Sequence, residues 1–178
     1  MKKLLLLSTL AIFFNSCVEV ETGGCIDPYA DNYESFADYD DGSCLYSCED
    51  PYAINYNLLL PSYYCEYEAD VVFFEDVAAA LYFDNINVNW LDIYVEGTYV
   101  GTLNATLGFT YVPLCYPTDP DAVHFTLSWF NNINSTFNWT VRDETGFIHY
   151  DGTDFVSANG CLPMELTFKK IQDFKASK

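Results

Sequence analysis

Asp38, Asp40 and Asp41 stand beside Gly42 and offer the hard oxygen ligands that calcium prefers. Their spacing departs from the EF-hand loop, which requires a longer alternation of acids, a central glycine and a later bidentate glutamate. The competing reading is a tight turn with solvated carboxylates. A second candidate is aromatic: Trp90, Tyr94, Tyr99, Trp129, Phe130 and Trp139 could stack on sugar rings. Alternation places Trp129 and Trp139 with the apolar residues of their strands, hence in a core. Phe130 falls on the polar face with His124, and Trp90 sits where the alternation changes phase, at a bulge. Trp90 and Phe130 are therefore the expected glycan contacts. Catalysis finds less support. The only histidines are His124 and His149, without a nucleophile-elbow pattern or clustered metal ligands. His149-Tyr150-Asp151 sets two possible ligands on one strand face and supplies no third. Glu75 and Asp76 are adjacent, so their side chains diverge, whereas glycosidase carboxylates face each other across roughly 5–9 Å. A secreted hydrolase is the last of the functional readings.

The cysteines define the frame that carries these groups. Cys25-Ile26-Asp27-Pro28-Tyr29-Ala30-Asp31-Asn32-Tyr33 returns as Cys48-Glu49-Asp50-Pro51-Tyr52-Ala53-Ile54-Asn55-Tyr56. Each copy closes with a second cysteine and a tyrosine, Cys44 with Tyr46 and Cys65 with Tyr67. Modules this small cannot build a sufficient core without a staple, so the frame indicates disulfides and an oxidising compartment. There are seven cysteines. Setting Cys17 aside leaves three natural pairs. Connectivity is open at this level, but Cys25–Cys44, Cys48–Cys65 and Cys115–Cys161 need the fewest assumptions.

The N-terminus reads as an export signal. Lys2 and Lys3 precede an apolar stretch from Leu4 to Phe14, too short to span a bilayer as a helix. Phe14-Asn15-Ser16-Cys17 resembles a bacterial lipobox, in which the cysteine is acylated and becomes the first mature residue. Ordinary secretion, with Cys17 an incidental thiol, is the alternative. The chain is acidic: its formal net charge is −19, and no lysine or arginine occurs between Lys3 and Arg142. Phosphate binding needs clustered Lys and Arg, so nucleic acid is excluded as a partner. Contact with a membrane would come from the lipid alone. With 51% hydrophobic and 18% aromatic residues, this is still a folding composition.

Strands must position the aromatics. Val123, Phe125, Leu127 and Trp129 alternate with polar positions, as do Ser135, Phe137, Trp139 and Val141. Leu91, Ile93 and Val95 lead through Glu96-Gly97-Thr98 into Val100 and Leu103, a β-hairpin. Further strands are expected at Val71–Phe74, Ala79–Phe83, Phe109–Val112, Phe147–Tyr150 and Met164–Phe168. The fold class that results is all-β, an antiparallel β-sandwich preceded by two loop-rich repeats and a cleaved signal peptide. The expected boundaries are 1–16 for the signal, 17–24 for a lipidated acidic tether, 25–46 and 48–67 for the repeats, 68–170 for the sandwich and 171–178 for a frayed tail.

The first cassette, through Asp40-Asp41-Gly42-Ser43-Cys44-Leu45-Tyr46, resembles a repeat of secreted and surface proteins of Bacteroidota. That repeat runs Cys-x-Asp-Pro-x-Ala-x-Asn-Tyr and then Asp-Asp-Gly-Ser-Cys-x-Tyr. Repeat two keeps the opening but ends in Leu58-Leu59-Leu60-Pro61-Ser62-Tyr63-Tyr64-Cys65, without the acidic pair. More loosely, the C-terminal half is similar to β-sandwich modules of the same bacteria. The resemblance implies an outer-membrane or cell-surface lipoprotein held through Cys17, or a secreted protein if Cys17 is not acylated. It carries no catalytic site over and implies no cofactor beyond the calcium considered above. The leading function is a non-catalytic surface module, with the repeats as spacer and the sandwich structural or adhesive, facing another surface protein. The runner-up is a glycan-binding lipoprotein that captures extracellular polysaccharide.

Overall fold

A computed structural model describes residues 20–61 and 64–177. Cys17 and the signal stretch before it lie outside the described residues. The described residues divide into two compact units, one ending at Cys44 and the other beginning at Leu45.

In the first unit β1 (Gly23–Gly24) pairs in parallel with β2 (Tyr39–Asp40), and Cys25–Cys44 closes the loop. The Asp27 carboxylate accepts the Tyr29 amide at 2.9 Å, and the Asn32 side-chain amide donates to the Ser43 carbonyl at 2.7 Å. Repeat two, in the second unit, rebuilds this frame. Asp50 accepts from Tyr52 at 2.9 Å, and Asn55 donates to the Tyr64 carbonyl at 2.8 Å, next to the Cys48–Cys65 bridge. The duplicated Asp-Pro and Asn-Tyr residues thus have one job. The aspartate starts the turn, and the asparagine clips the loop to the residue before the closing cysteine.

Repeat two is fused to the strands that follow. Just before it β3 (Tyr46–Ser47) pairs antiparallel with its β4 (Leu59–Leu60), and the repeat runs into β5 (Glu66–Glu75). The Tyr67 hydroxyl donates to Asp50 at 2.8 Å, and the Tyr67 ring stacks on Trp129 with centroids 6.2 Å apart. Asn159 reaches back to the Tyr52 carbonyl at 3.0 Å.

Beyond β5 come helix α1 (Val77–Asn85), β6 (Trp90–Val95), β7 (Thr98–Asn104), β8 (Val123–Phe130), β9 (Asn134–Asp143), β10 (Ile148–Ser157), β11 (Cys161–Leu166) and helix α2 (Phe168–Ser177). One sheet has the order β10-β9-β6-β7 and is antiparallel throughout; the other has the order β11-β5-β8. Both contribute to one apolar cluster. Val71, Phe73, Met164 and Leu166 of the second sheet meet Leu91, Ile93, Phe137 and Val141 of the first. Cys115–Cys161 ties the loop before β8 to the start of β11.

Four expectations are corrected. The run Ala79–Phe83 is helical within α1. Asp76 caps that helix, accepting the Ala79 amide at 2.6 Å, and three consecutive alanines favour helix over strand. Residues 109–112 form no strand beyond a single bridge from Phe109 to Asp76, because Pro113, Pro117 and Pro120 follow and cannot donate to a ladder. The tail is α2, held by the fully buried Ile171 and by Phe168 against Tyr82. The fold is also not antiparallel throughout, since β11 runs parallel to β5, Cys161 beside Asp70 and Leu166 beside Glu75. Alternation fixes which face is buried, whereas direction depends on where the crossover from β10 delivers the chain.

Candidate functional site

Strand β6 is the centre of the site because it is flanked on both edges. Leu91, Ile93 and Val95 are buried, so Trp90, Asp92 and Tyr94 point outward. The turn to β7 places Glu96 and Gly97 at positive φ, 48° and 77°, the geometry of a tight two-residue hairpin that Gly97 permits. Pairing then shifts. Ile93 faces Gly101 while Tyr94 faces Tyr99, so Val100 is an extra, bulged residue. The bulge puts Tyr99 and Thr102 on the same outer face as Tyr94. It also leaves Gly101 inward, where a Cβ would come within 2.7 Å of Val123. The expected bulge thus lies opposite Ile93/Tyr94 and not at Trp90, which opens β6 and is 53% exposed.

On this face the Tyr94 and Tyr99 rings meet edge-to-face with centroids 5.9 Å apart. The Tyr99 hydroxyl lies 2.8 Å from the Thr102 hydroxyl, which donates to the Asp92 carboxylate. Arg142 comes from the other neighbour, β9, directly opposite Asp92. Its guanidinium carbon sits 5.0 Å from the Tyr94 centroid, within cation–π range. Glu144 fixes the entry to β6 by accepting the Asn89 amide at 3.1 Å and lying 3.5 Å from the Trp90 amide. Trp90 and Tyr94 are four residues apart, about 13 Å along the strand. The face therefore offers partly exposed rings at both ends of a row of hydrogen-bonding groups. It can stack on flat apolar surfaces and bond hydroxyls or anions between them.

The other candidates are placed elsewhere. Phe130 is 56% exposed but ends β8, opposite Glu66 in the second sheet, so the structure does not bring it to Trp90. Trp139 is core, with its indole N–H on Asp154 at 2.7 Å; Trp129 is half-buried against Tyr67. The three aspartates considered for calcium are engaged by backbone amides. Asp38 accepts from Thr22, Asp40 from Gly42 and Asp41 from Ser43, at 2.9–3.0 Å. Among the described residues no three such side chains converge on a metal position.

His149 and Asp151 do not share a strand face. A register shift between Ile148 and Tyr150 buries His149 while leaving Asp151 exposed. His149 instead meets Asp143 at 2.8 Å. Burial pushes the Asp143 carboxyl up, but bonds from Thr145 and His149 and the amides of Thr145 and Phe147 outweigh it and hold the pKa at about 2. Glu75 and Asp76 diverge as expected, Glu75 into the interior and Asp76 onto the α1 cap. A concavity of about 410 Å³ between β10 and α2 holds the ammonium of Lys170, 5.8 Å from the Trp139 ring and bonded to the Glu165 carbonyl.

Sequence reasoning names Tyr94 and Tyr99 among six aromatics, settles on Trp90 and Phe130, and misses Asp92, Thr102 and Arg142. One signal was present: Arg142 is the lone cation in a long acidic stretch, on the polar phase of its strand. No protein-family model, curated protein or solved structure matches the chain.

Proposed function

We propose that this chain is a non-catalytic, lipid-anchored protein of the outer membrane or cell surface. Its two sheets form a sandwich that serves as an interaction module. Acylation of Cys17 supplies the only membrane contact, and the first repeat separates the anchor from the β body in sequence. The three disulfides support an oxidising compartment. The observation that carries the interaction role is the outer face of β6, β7 and β9, where Trp90 and Tyr99 stay more than half exposed on a four-stranded sheet. Detergent phase partitioning tests the anchor. The full chain is expected in the detergent phase and Cys17→Ala in the aqueous phase; a variant that still partitions into detergent refutes lipidation.

A second reading gives that face a ligand, namely extracellular polysaccharide captured by ring stacking. The spread of Trp90, Tyr94 and Tyr99 over about 13 Å favours it, since several consecutive sugars could lie along the row. Affinity electrophoresis against polysaccharides tests it. Trp90→Ala is expected to abolish retardation with unchanged thermal unfolding, and retardation equal to that of the parent chain refutes the assignment.

A further inference from the structure

We infer that the ligand of this face is an anionic polysaccharide, its carboxylate or sulfate held by Arg142 while its rings lie on Tyr99 and Trp90. The inference rests on the polysaccharide reading and adds the charge of the sugar. Between residues 20 and 168 Arg142 is the single lysine or arginine. It is exposed, and among the described residues it makes no ion pair. The acid directly across from it, Asp92, turns to the Thr102 hydroxyl on the opposite side of β6. The guanidinium is instead laid over Tyr94, which orients it and leaves its N–H groups for a partner above the sheet. A planar fork of donors matches a carboxylate or sulfate in a way that a hydroxyl does not. Neutral sugars would find stacking and hydroxyl partners here without any use for a cation.

The surrounding charge makes the inference sharper. With a formal net charge of −19, the molecule repels a polyanion at long range. The Debye length is about 30 Å at 0.01 M salt and about 8 Å at 0.15 M, so moderate salt screens that field while a direct contact at Arg142 survives. Binding should therefore strengthen as salt rises between these limits, the reverse of a basic polyanion binder.

Equilibrium titration of the full chain in detergent with polygalacturonate, a sulfated galactan and neutral xyloglucan tests this. The expected result is preference for the polyuronate or the sulfated chain and tighter binding at about 0.15 M than at about 0.01 M salt. Arg142→Gln should lose about tenfold in affinity for the anionic chain, the scale of one charge-assisted contact, with unchanged thermal unfolding. Equal binding of xyloglucan, or an Arg142→Gln variant as tight as the parent, overturns the anionic assignment and leaves polysaccharide capture standing. Absence of binding to all three polysaccharides overturns both.

Discussion

Glu75 sits in the interior with 1% of its surface exposed, and neither carboxyl oxygen has a partner among the described residues. Burial, and after it the charge of Asp76, raises its pKa from 4.5 to about 9. The group is therefore protonated in the folded chain at neutral pH and ionised in the unfolded one. Below pH 4.5 both states hold the proton and the group costs nothing in linkage. Between 4.5 and about 9 folding must take up a proton, and stability falls by about 1.4 kcal/mol per pH unit. From pH 5 to pH 8 that amounts to about 4 kcal/mol, a large share of the 5–15 kcal/mol typical of a whole domain. Glu75→Gln keeps the shape and cannot ionise. Its stability relative to the parent should climb with pH along that slope and level off near pH 9. Urea unfolding with intact disulfides, repeated from pH 5 to 9, measures the difference directly. Asp143 does not interfere, because its contribution is complete above its ordinary value of 3.8. A parent–variant difference that stays flat across this range would refute the argument that burial holds the proton.

Two further outcomes follow from the same kind of reasoning. Asp143→Asn removes the carboxylate that gathers Thr145, His149 and the Phe147 amide, and should cost about 2 kcal/mol at neutral pH. The folded pKa lies below the ordinary one, so the parent should lose this contribution as pH falls from 3.8 through about 2. Acid unfolding of the variant should lack that step. Asn55→Ala strands the Tyr64 carbonyl and the Glu66 amide beside the Cys48–Cys65 bridge, and should cost about 2 kcal/mol in thermal or urea unfolding.

Several features were legible because they are local. The β6–β7 hairpin is written in alternation plus Glu96-Gly97. Strand β8 follows its period-two pattern from Val123, and the three disulfides are the pairings suggested by cysteine parity and spacing. Helix α1 replaces the strand expected at Ala79–Phe83, and its signals are also local, an Asp76 cap and an alanine run. The candidate face was half legible. Periodicity exposes Trp90 and Tyr94, but only the bulge at Val100 brings Tyr99 and Thr102 to the same side. Neither Arg142 nor Asp143 signals its partner, since Tyr94 and His149 reach them through strand register.

The amino-acid order by itself determined the cassette frame, the acidic charge, the β-rich class and the inward or outward phase of most strands. These depend on neighbours a few residues apart, whose geometry the backbone period dictates. The tertiary structure decided the parallel placement of β11, the fusion of repeat two onto β5, the unpaired burial of Glu75 and the seating of Arg142 over Tyr94. Each of those depends on which distant segments meet, through crossovers and register, and no local pattern encodes them.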